Sequence, residues 1–420
     1  MTIGRRLIAG IVVFVLLGVV VAVGHWRDTQ RVRPAAAVQR AVQVHVTNAD
    51  DRGPGTLREA LFVVATATGP TSISIEVPNI NLETALPAFV NGHEVRLLGP
   101  ASGVQINAQA LGAGPVFDIA APNTSIDGIV IRNCPGAGIL VRAVRFRLSA
   151  STIASCDVGV EVAENTSDTL LERNHFVKVR LGVRFAAAGH NSAVANNEFA
   201  ENKDAGLWAV RGAPDSHDDV IGIHDNKFTQ DGIGIVAGNI SVLVERNDFI
   251  NAREADVHLV GAGAVIRGNR INGGASMGIV AENARGAIID DNELEGIAVY
   301  GVMVRGSSNT LVRANRLHNC GYGLAFVLGD ARGVSTVVDN TIIEPKFDGI
   351  DVIGDSPILR RNQVVRPRAS ALHVEDYQAP DGKKVQSQPF LENNNFDYSP
   401  AGRNAATVAA QPQSAPTVVQ

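Results

Sequence analysis

The chain has 420 residues, of which 45% are hydrophobic and 42 are glycine, and its formal net charge is -5 at pH 7. This composition is typical of a folded domain and excludes a disordered polymer. Mild acidity, an aromatic content of 5% and the lack of a Lys/Arg run in the body of the chain argue against nucleic-acid binding.

The first predicted element is an apolar run from Leu7 to Gly24, preceded by Arg5 and Arg6. Such a run can just span a bilayer, so we interpret residues 1–24 as an uncleaved signal anchor with one transmembrane helix. A cleavable signal peptide, with a weak cleavage site at Ala22-Val23-Gly24, is the alternative. We expect a single-pass protein of the bacterial inner membrane with its folded domain in the periplasm.

Two segments without hydrophobic periodicity flank the rest of the chain. Residues 25–42 are typical of a polar linker, and residues 397–420 are typical of a disordered tail rich in Pro, Gln and Ala. The predicted folded domain is therefore residues 43–396.

Within this domain, a pattern of aliphatic-x-x-Asn-x-apolar recurs ten times. Its asparagines, 21 to 32 residues apart, are Asn174, Asn197, Asn226, Asn247, Asn269, Asn292, Asn315, Asn340, Asn362 and Asn394. A period of this length makes each repeat one supersecondary unit, which is too short for a helix-turn-helix. Between the asparagines, a glycine precedes alternating apolar residues, as in Gly159-Val160 and Gly182-Val183, and predicts a short strand.

Three short strands and three corners fit each repeat, and a chain that coils in this way forms three parallel sheets. At a corner, an inward asparagine amide can satisfy the backbone groups that lose their sheet partners, and can bond to the asparagine of the next coil. We therefore predict a stacked asparagine ladder. Beside it we predict an aromatic stack of Phe176, Phe199, Phe228 and Phe249.

These repeats resemble those of the right-handed parallel β-helix families, the pectate-lyase-like group and its bacterial relatives. The segment Asp51 to Ala60 resembles the entry motif of such proteins, which implies a short amphipathic helix that caps the N-terminal end. Its apolar stripe would be Leu57, Ala60, Leu61 and Val64. The resemblance covers about residues 44 to 396 and implies an all-β fold, a single right-handed parallel β-helix of about 12 coils.

The resemblance does not assign an activity, because this fold hosts lyases, hydrolases, epimerases and non-catalytic proteins. The sequence lacks the Asp-Pro-His of alginate epimerases and the outward aspartates on consecutive coils of pectate lyases. It also lacks the Asn-x-Asp and Gly-His-Gly signatures of polygalacturonases. Whether the protein is an enzyme is therefore open.

Strand alternation predicts which side chains face solvent. With the glycine as position zero, positions one and three point inward and positions two and four point outward. In polysaccharide-acting relatives, the substrate lies along such an outer face, which here carries the candidate catalytic residues Asp351, His373 and Glu375.

Asp351 and His373 share a column on consecutive coils, about 5 Å apart, so the carboxylate can orient the imidazole and raise its pKa. Asp351 and Glu375 would be roughly 8 Å apart, as in two carboxylates of an inverting glycosidase. A solvated cross-strand ion pair is the alternative.

The same face supplies the candidate substrate-binding residues Arg305, Trp208, Glu282 and His258, with Tyr377 in the adjoining loop. Arg305 can neutralise a uronate carboxylate or form a surface ion pair with Glu282. Trp208 can stack on a sugar or pack against a loop. His258 is isolated between Gly234 and Val280 in the pattern, which favours an ordinary surface residue.

We predict no metal and no cofactor, although the contiguous run His217-Asp218-Asp219 is a weak candidate for a divalent cation. Cys134 and Cys156 lie on consecutive coils, which allows either a disulfide or a reduced, buried stack.

The expected function is a membrane-tethered β-helix that binds a polysaccharide and processes it by lyase or glycoside hydrolase chemistry. The alternative is a non-catalytic polysaccharide-binding or assembly factor in exopolysaccharide export. A surface adhesin is a third interpretation, but its usual route needs a C-terminal membrane barrel that the polar tail does not predict.

Overall fold

Three long parallel sheets wind around one core. The computed structural model describes residues 41–100, 102–187, 190–211, 220–261, 263–274, 277–329 and 332–397. Within these residues, sheets 1, 2 and 3 contain 15, 14 and 12 strands, and each strand pairs with the equivalent strand one coil before and after it. The chain is an all-β, right-handed parallel solenoid of about 13 turns, one more than the sequence predicts.

The strands are short, and most have three to six residues. Sheet 1 comprises Val42–Val46, Thr71–Ile75, Val95–Leu98, Thr124–Asp127, Arg147–Ser149, Leu170–Glu172, Ala193–Ala195, Val220–His224, Ser241–Glu245, Val265–Arg267, Ile288–Asp290, Leu311–Arg313, Thr336–Val338, Ile358–Arg360 and Phe390–Glu392. Sheet 2 comprises Asn79–Asn81, Val104–Asn107, Ile129–Arg132, Thr152–Ala154, His175–Val177, Glu198–Ala200, Lys227–Thr229, Asp248–Ile250, Arg270–Asn272, Glu293–Glu295, Arg316–His318, Thr341–Ile343, Gln363–Val365 and Asn395–Phe396. Sheet 3 comprises Phe117–Ile119, Ala137–Val141, Val158–Val162, Leu181–Phe185, Ala205–Val210, Ile233–Gly238, Ala255–Val260, Met277–Glu282, Tyr300–Arg305, Tyr322–Val327, Ile350–Ile353 and Leu372–Glu375. Outside these sheets, Tyr377–Gln378 and Lys384–Val385 form an antiparallel hairpin.

One helix occurs in the described part of the chain, Leu57–Thr66. Thr56 is its N-cap: the Thr56 hydroxyl accepts a hydrogen bond from the Glu59 N–H, and the Glu59 carboxylate accepts one from the Gly55 N–H. This reciprocal arrangement satisfies two backbone donors at the start of the helix. The buried face joins the same core as Val46 of the first strand and consists of Leu57, Ala60, Leu61 and Val64.

The asparagine ladder is present at the corner between sheets 1 and 2. The Nδ2 of Asn226, for example, donates to the Oδ1 of Asn247 at 3.0 Å and to the Val194 carbonyl, one coil back, at 2.8 Å. Links of 2.9 to 3.1 Å connect every successive pair from Asn174 to Asn394. The residue before each ladder asparagine turns the corner in the left-handed region, as at Arg173 (φ 55°). The predicted ladder is confirmed.

The aromatic stack is also present and accounts for the glycine column. Ring centroids of Phe176, Phe199, Phe228 and Phe249 are 5.0, 4.6 and 4.8 Å apart along the stack. The glycines of sheet 3 point inward against these rings. A Cβ on Gly182 would lie 2.7 Å from Cδ1 of Phe199 and 2.3 Å from the Gly206 carbonyl oxygen. Glycine recurs at this position because the neighbouring ring and backbone already fill the space of a side chain.

Two aspartates interrupt these apolar and asparagine columns. Asp256 occupies the position in sheet 3 at which the neighbouring coils carry glycine. It is fully buried, and neither of its carboxylate oxygens has a hydrogen-bond partner. Burial raises the pKa of Asp256 well above its ordinary value. Asp231 accepts a hydrogen bond from the Asn202 N–H at 2.9 Å, and burial raises the pKa of Asp231 to about 7. Both carboxyl groups are therefore stable in the core mainly in the protonated form.

The structure pairs Cys134 and Cys156 in a disulfide, with their Cα atoms 4.4 Å apart, and so selects one of the two arrangements that the sequence allows. Cys320 occupies an equivalent corner, is buried and has no cysteine partner in the described residues. Burial raises the pKa of Cys320 to about 11, so this thiol is a poor nucleophile.

In the part of the chain that the structure describes, no helix is long and apolar enough to cross a bilayer. The predicted membrane segment, residues 7–24, the linker up to residue 40 and the tail from residue 398 lie outside the described residues.

Candidate functional site

The outer face of sheet 3 carries the predicted site residues. Side chains at positions one and three, such as Val160 and Val162, are buried in the core, whereas Glu161 between them reaches solvent. The alternation predicted from the sequence therefore holds on this sheet. At the C-terminal end of the face, Asp351 and His373 follow the apolar residues Val280, Met303 and Ala325.

Asp351 and His373 are directly paired on the last two strands of sheet 3. The Nδ1 of His373 lies 2.7 Å from the Oδ1 of Asp351, and the side chains are 41% and 5% exposed, respectively. Because an ionised carboxylate only accepts hydrogen bonds, Nδ1 carries the hydrogen and the other ring nitrogen is available to a ligand. The outward aspartate is thus almost completely covered, and the histidine provides its access to solvent.

The protonation of this pair is shifted. Burial raises the pKa of Asp351 above its ordinary value, against the hydrogen bond from His373. Burial alone would lower the pKa of His373, but the hydrogen bond and charge of Asp351, with the charges of Asp348 and Glu375, raise it. The pair therefore retains a proton to a higher pH than a solvated histidine does, as a group that donates a proton to a substrate requires.

Asp348 completes the centre of the site. It lies across the Gly349 bend from Asp351, and its Oδ1 accepts a hydrogen bond from the Ser370 N–H at 2.8 Å. Asp348, Asp351 and His373 each offer one ligand atom within 4.8 Å of the others, so they could hold a metal ion. These residues form a candidate cation site in the described part of the chain, whereas the run at residues 217–219 lies outside the described residues.

An aromatic stack borders the carboxylates. The rings of Tyr300 and Tyr322 lie 5.1 Å apart, and Phe347 continues the stack 5.0 Å beyond Tyr322. Burial and the charge of Asp351 raise the pKa of Tyr300, and burial with the charges of Tyr300, Asp348 and Asp351 raises that of Tyr322. The two phenols therefore remain uncharged hydrogen-bonding groups beside an acidic cluster.

Glu375 ends the last strand of sheet 3 and is exposed. Its strand partner is Ile353, which places Glu375 diagonally from Asp351. Tyr377 begins the hairpin that follows and packs over Gly354, where a built Cβ would lie 2.6 Å from the Tyr377 Cβ. The adjoining loop that carries Tyr377 therefore forms a hairpin. Tyr377 contacts the solenoid backbone at Gly354.

Arg305, Glu282 and His258 form a separate ion-pair group on three consecutive strands. The NH1 nitrogen of Arg305 lies 3.7 Å from Oε1 of Glu282, and Nε2 of His258 lies 3.4 Å from Oε2 of the same carboxylate. The His258 contact lacks hydrogen-bond alignment, since Nε2 has no hydrogen-bond partner. Arg305 is two strands from Asp351 in the sheet and is paired, so it does not meet the requirement of a uronate clamp at the Asp351–His373 centre.

Trp208 lies six strands away from Asp351 in sheet 3. It packs, with Val210 and Ile233, on a second apolar cluster outside the main core. This cluster consists of Ala137, Val158, Leu181, Ala205 and Val236. The packing reading of Trp208 therefore fits the structure, and Trp208 is not part of the Asp351 centre.

Four residues of the site were not singled out from the sequence: Tyr300, Tyr322, Phe347 and Asp348. Three of them immediately precede the glycine of sheet 3, in the motifs Tyr300-Gly301, Tyr322-Gly323 and Asp348-Gly349. The residue before the glycine also faces outward, because the chain bends at the glycine. A column drawn through that position groups them in the sequence, but only the bend in the structure shows that the column faces outward.

Comparisons with known proteins follow the fold. The family described as "Right handed beta helix region" matches residues 111–217 and 213–364. The structure is similar to the catalytic unit of the thermostable GH87 alpha-1,3-glucanase from Streptomyces thermodiastaticus, with a TM-score of 0.54 and 14% identity over 90% of this chain and 73% of that chain. It is also similar to a double mutant of the tailspike protein of E. coli bacteriophage HK620 in complex with a pentasaccharide, with a TM-score of 0.53 and 12% identity over 84% and 78% of the two chains. No curated protein matches the sequence. At these identities, the similarities to solved structures show the fold alone.

Proposed function

We propose that this chain, which belongs to the right-handed β-helix family, binds a polysaccharide at the C-terminal end of the outer face of sheet 3 and hydrolyses it at Asp351, His373 and Glu375. Two structures of similar fold support a glycan ligand: one is named as a glucanase, and the other was solved with a pentasaccharide.

The observation that carries the proposal is the burial of Asp351. A solvated ion pair leaves both partners in water, where it contributes little. Here, the carboxylate is 5% exposed although it points outward, and its partner His373 is 41% exposed. A buried carboxylate that supports an accessible imidazole is the arrangement of an acid–base group, and it is costly to maintain for stability alone.

Hydrolysis fits this arrangement better than β-elimination does. The Asp351–His373 pair would donate its proton to the glycosidic oxygen, while Glu375 takes a proton from the water that attacks the anomeric carbon. The C–O bond then breaks and leaves a new reducing end. From strand spacing and rise, Asp351 and Glu375 lie roughly 8 Å apart, which leaves room for that water. A lyase that relies on arginine would need it at the uronate carboxylate, but Arg305 lies two strands from Asp351 and pairs with Glu282.

The test is the appearance of reducing ends when the full chain is incubated with a panel of bacterial exopolysaccharides. Asp351→Asn and Glu375→Gln should each lower the rate about 100-fold or more, the usual range for a lost acid or base. Glu161→Gln is the matched control, because Glu161 lies in the same outward column, pairs with Arg184 and is eight strands away from Asp351. Unsaturated ends without reducing-end hydrolysis, or equal rates for all variants, would refute hydrolysis at this site.

A non-catalytic binding or assembly factor in exopolysaccharide export is the second candidate. The stack of Tyr300, Tyr322 and Phe347 favours it, because aromatic and phenolic groups beside a sheet can hold a sugar without any chemistry. Glycan binding that depends on these rings, with no product formed from any polymer of the panel, would favour this candidate over the hydrolase.

We also propose that residues 7–24 tether the protein to the bacterial inner membrane with the solenoid in the periplasm. The disulfide between Cys134 and Cys156 supports an oxidising compartment. In the solenoid itself, we infer that the helix Leu57–Thr66 caps the N-terminal end, because its buried face shares the core with the first strand. Resistance of the protein to alkaline extraction from membranes would test the tether.

A further inference from the structure

We infer that the glycan bound at this site carries free amines, so that the substrate class is a cationic, N-deacetylated hexosamine polymer rather than a uronic-acid polymer. This inference rests on the proposed function and specifies the ligand of the same site. It is carried by the charge of the groups around His373 and by an unused acceptor on Asp351.

The charged neighbours of the site are mostly acidic. The charges of Asp351, Asp348 and Glu375 act on His373, and those of Asp348 and Asp351 also act on Tyr322. Arg305, an outward arginine two strands from Asp351, already has Glu282 as its partner. A uronate placed here would meet like charges, which disfavours binding, whereas an ammonium group would meet opposite charges.

Asp351 has one carboxylate oxygen ready for a donor. Its Oδ1 is 2.7 Å from His373, but its Oδ2 accepts no hydrogen bond from any described residue. This oxygen is not among the fully enclosed atoms that lack a partner, so a donor from a ligand can reach it. An ammonium group offers up to three donors, so it can contact Asp351 and Asp348 together.

The stack of Tyr300, Tyr322 and Phe347 would hold a sugar ring next to these acceptors. Tyr300 and Tyr322 stack on each other, so they present ring edges and phenolic hydroxyls rather than open faces. Each phenolic hydroxyl can donate to or accept from a sugar hydroxyl. Phe347, which is 48% exposed, extends the apolar border of the site.

The experiment compares four probes with the full chain by isothermal titration calorimetry at pH 6 and low salt. The probes are a glucosamine hexamer, the N-acetylglucosamine hexamer, a galacturonic acid hexamer and hexalysine. We expect the glucosamine hexamer to bind at least tenfold more tightly than each of the others. Asp348→Asn should remove most of that preference, and Glu161→Gln should not.

The outcomes are distinguishable. Equal or tighter binding of the acetylated or the uronic hexamer would overturn the inference and leave the proposed polysaccharide function intact. If hexalysine binds as tightly as the glucosamine hexamer, the binding reflects general charge attraction, and the inference is also overturned. If no hexamer binds and no polymer of the hydrolysis panel yields reducing ends, the proposed function itself fails. Melting curves of Asp348→Asn would verify that the variant is folded.

Discussion

Asp351 and His373 meet across adjacent strands of sheet 3 at 2.7 Å, with the carboxylate buried and the imidazole half exposed. The pKa of His373 is raised because the hydrogen bond and charge of Asp351 outweigh the effect of burial. Asp351→Asn should therefore lower the pKa of His373. Titration of the His373 ring signals by NMR would measure it, and Glu161→Gln should leave it unchanged. An unaltered pKa in Asp351→Asn would show that the two residues are not coupled in solution.

The buried Asp231 predicts a pH dependence of stability. Burial raises its pKa from 3.8 to about 7, so the folded state binds a proton more tightly than the unfolded state. Its favourable contribution is complete below about pH 4 and is lost as the pH rises towards 7.

Asp231→Asn should remove this loss of stability at high pH. The new amide could also repeat the contact of Asn202, whose Nδ2 donates to the Phe176 carbonyl one coil back. We expect a gain on the order of 3 kcal/mol at pH 8 and little change at pH 4. Urea midpoints at the two pH values measure it, and the same shift at both would contradict the assigned protonation.

The glycine column predicts a large effect of one methyl group. Gly182→Ala places a Cβ 2.7 Å from the Phe199 ring and 2.3 Å from a backbone oxygen, and the backbone cannot yield cheaply. We expect a loss of about 3 kcal/mol or more in unfolding free energy, the upper range for overpacked cores. Gly92→Ala is the control, since a Cβ there would meet nothing within 4 Å. Comparable stability of the two variants in urea would refute the packing argument.

The asparagine ladder predicts that an Asn→Asp change costs more stability inside the ladder than at its end. In Asn247→Asp, the lost Nδ2 no longer donates to the Ile223 carbonyl or to Asn269, and oxygen faces oxygen. We expect a cost of about 3 kcal/mol, since buried acceptors are left unpaired. Asn394→Asp should cost less, because Asn394 is partly exposed and its Nδ2 donates only to the Leu359 carbonyl. Thermal unfolding of the two variants compares them directly.

The disulfide predicts the thiol content of the native protein. Of the three cysteines in the chain, Cys134 and Cys156 are paired and Cys320 is free. Protein isolated from the cell envelope and denatured without reductant should react with one equivalent of an alkylating reagent per chain. After reduction, it should react with three. Three thiols without reduction would indicate that the protein resides in a reducing compartment, contrary to the proposed location.

The sequence by itself determined the fold and the direction of its side chains. Spaced asparagines and glycines specify a triangular coil, because each coil must satisfy the same corner groups and fit the same ring. For the same reason, the pairing of Asp351 with His373 followed from strand register alone. Regular repetition makes contacts between coils predictable from sequence spacing, which irregular folds do not permit.

Only the tertiary structure decided how deeply each outward side chain is covered and which neighbours it meets. The sequence left open whether Trp208 and Arg305 bind substrate or make local contacts, and in the structure Trp208 packs on an apolar cluster while Arg305 pairs with Glu282. Tyr300, Tyr322 and Asp348 precede the bend at the glycine, where simple alternation does not assign a face, so their position beside Asp351 depended on the path of the backbone. Burial and charge at this site arise from side chains on several coils together, and no single repeat contains that information.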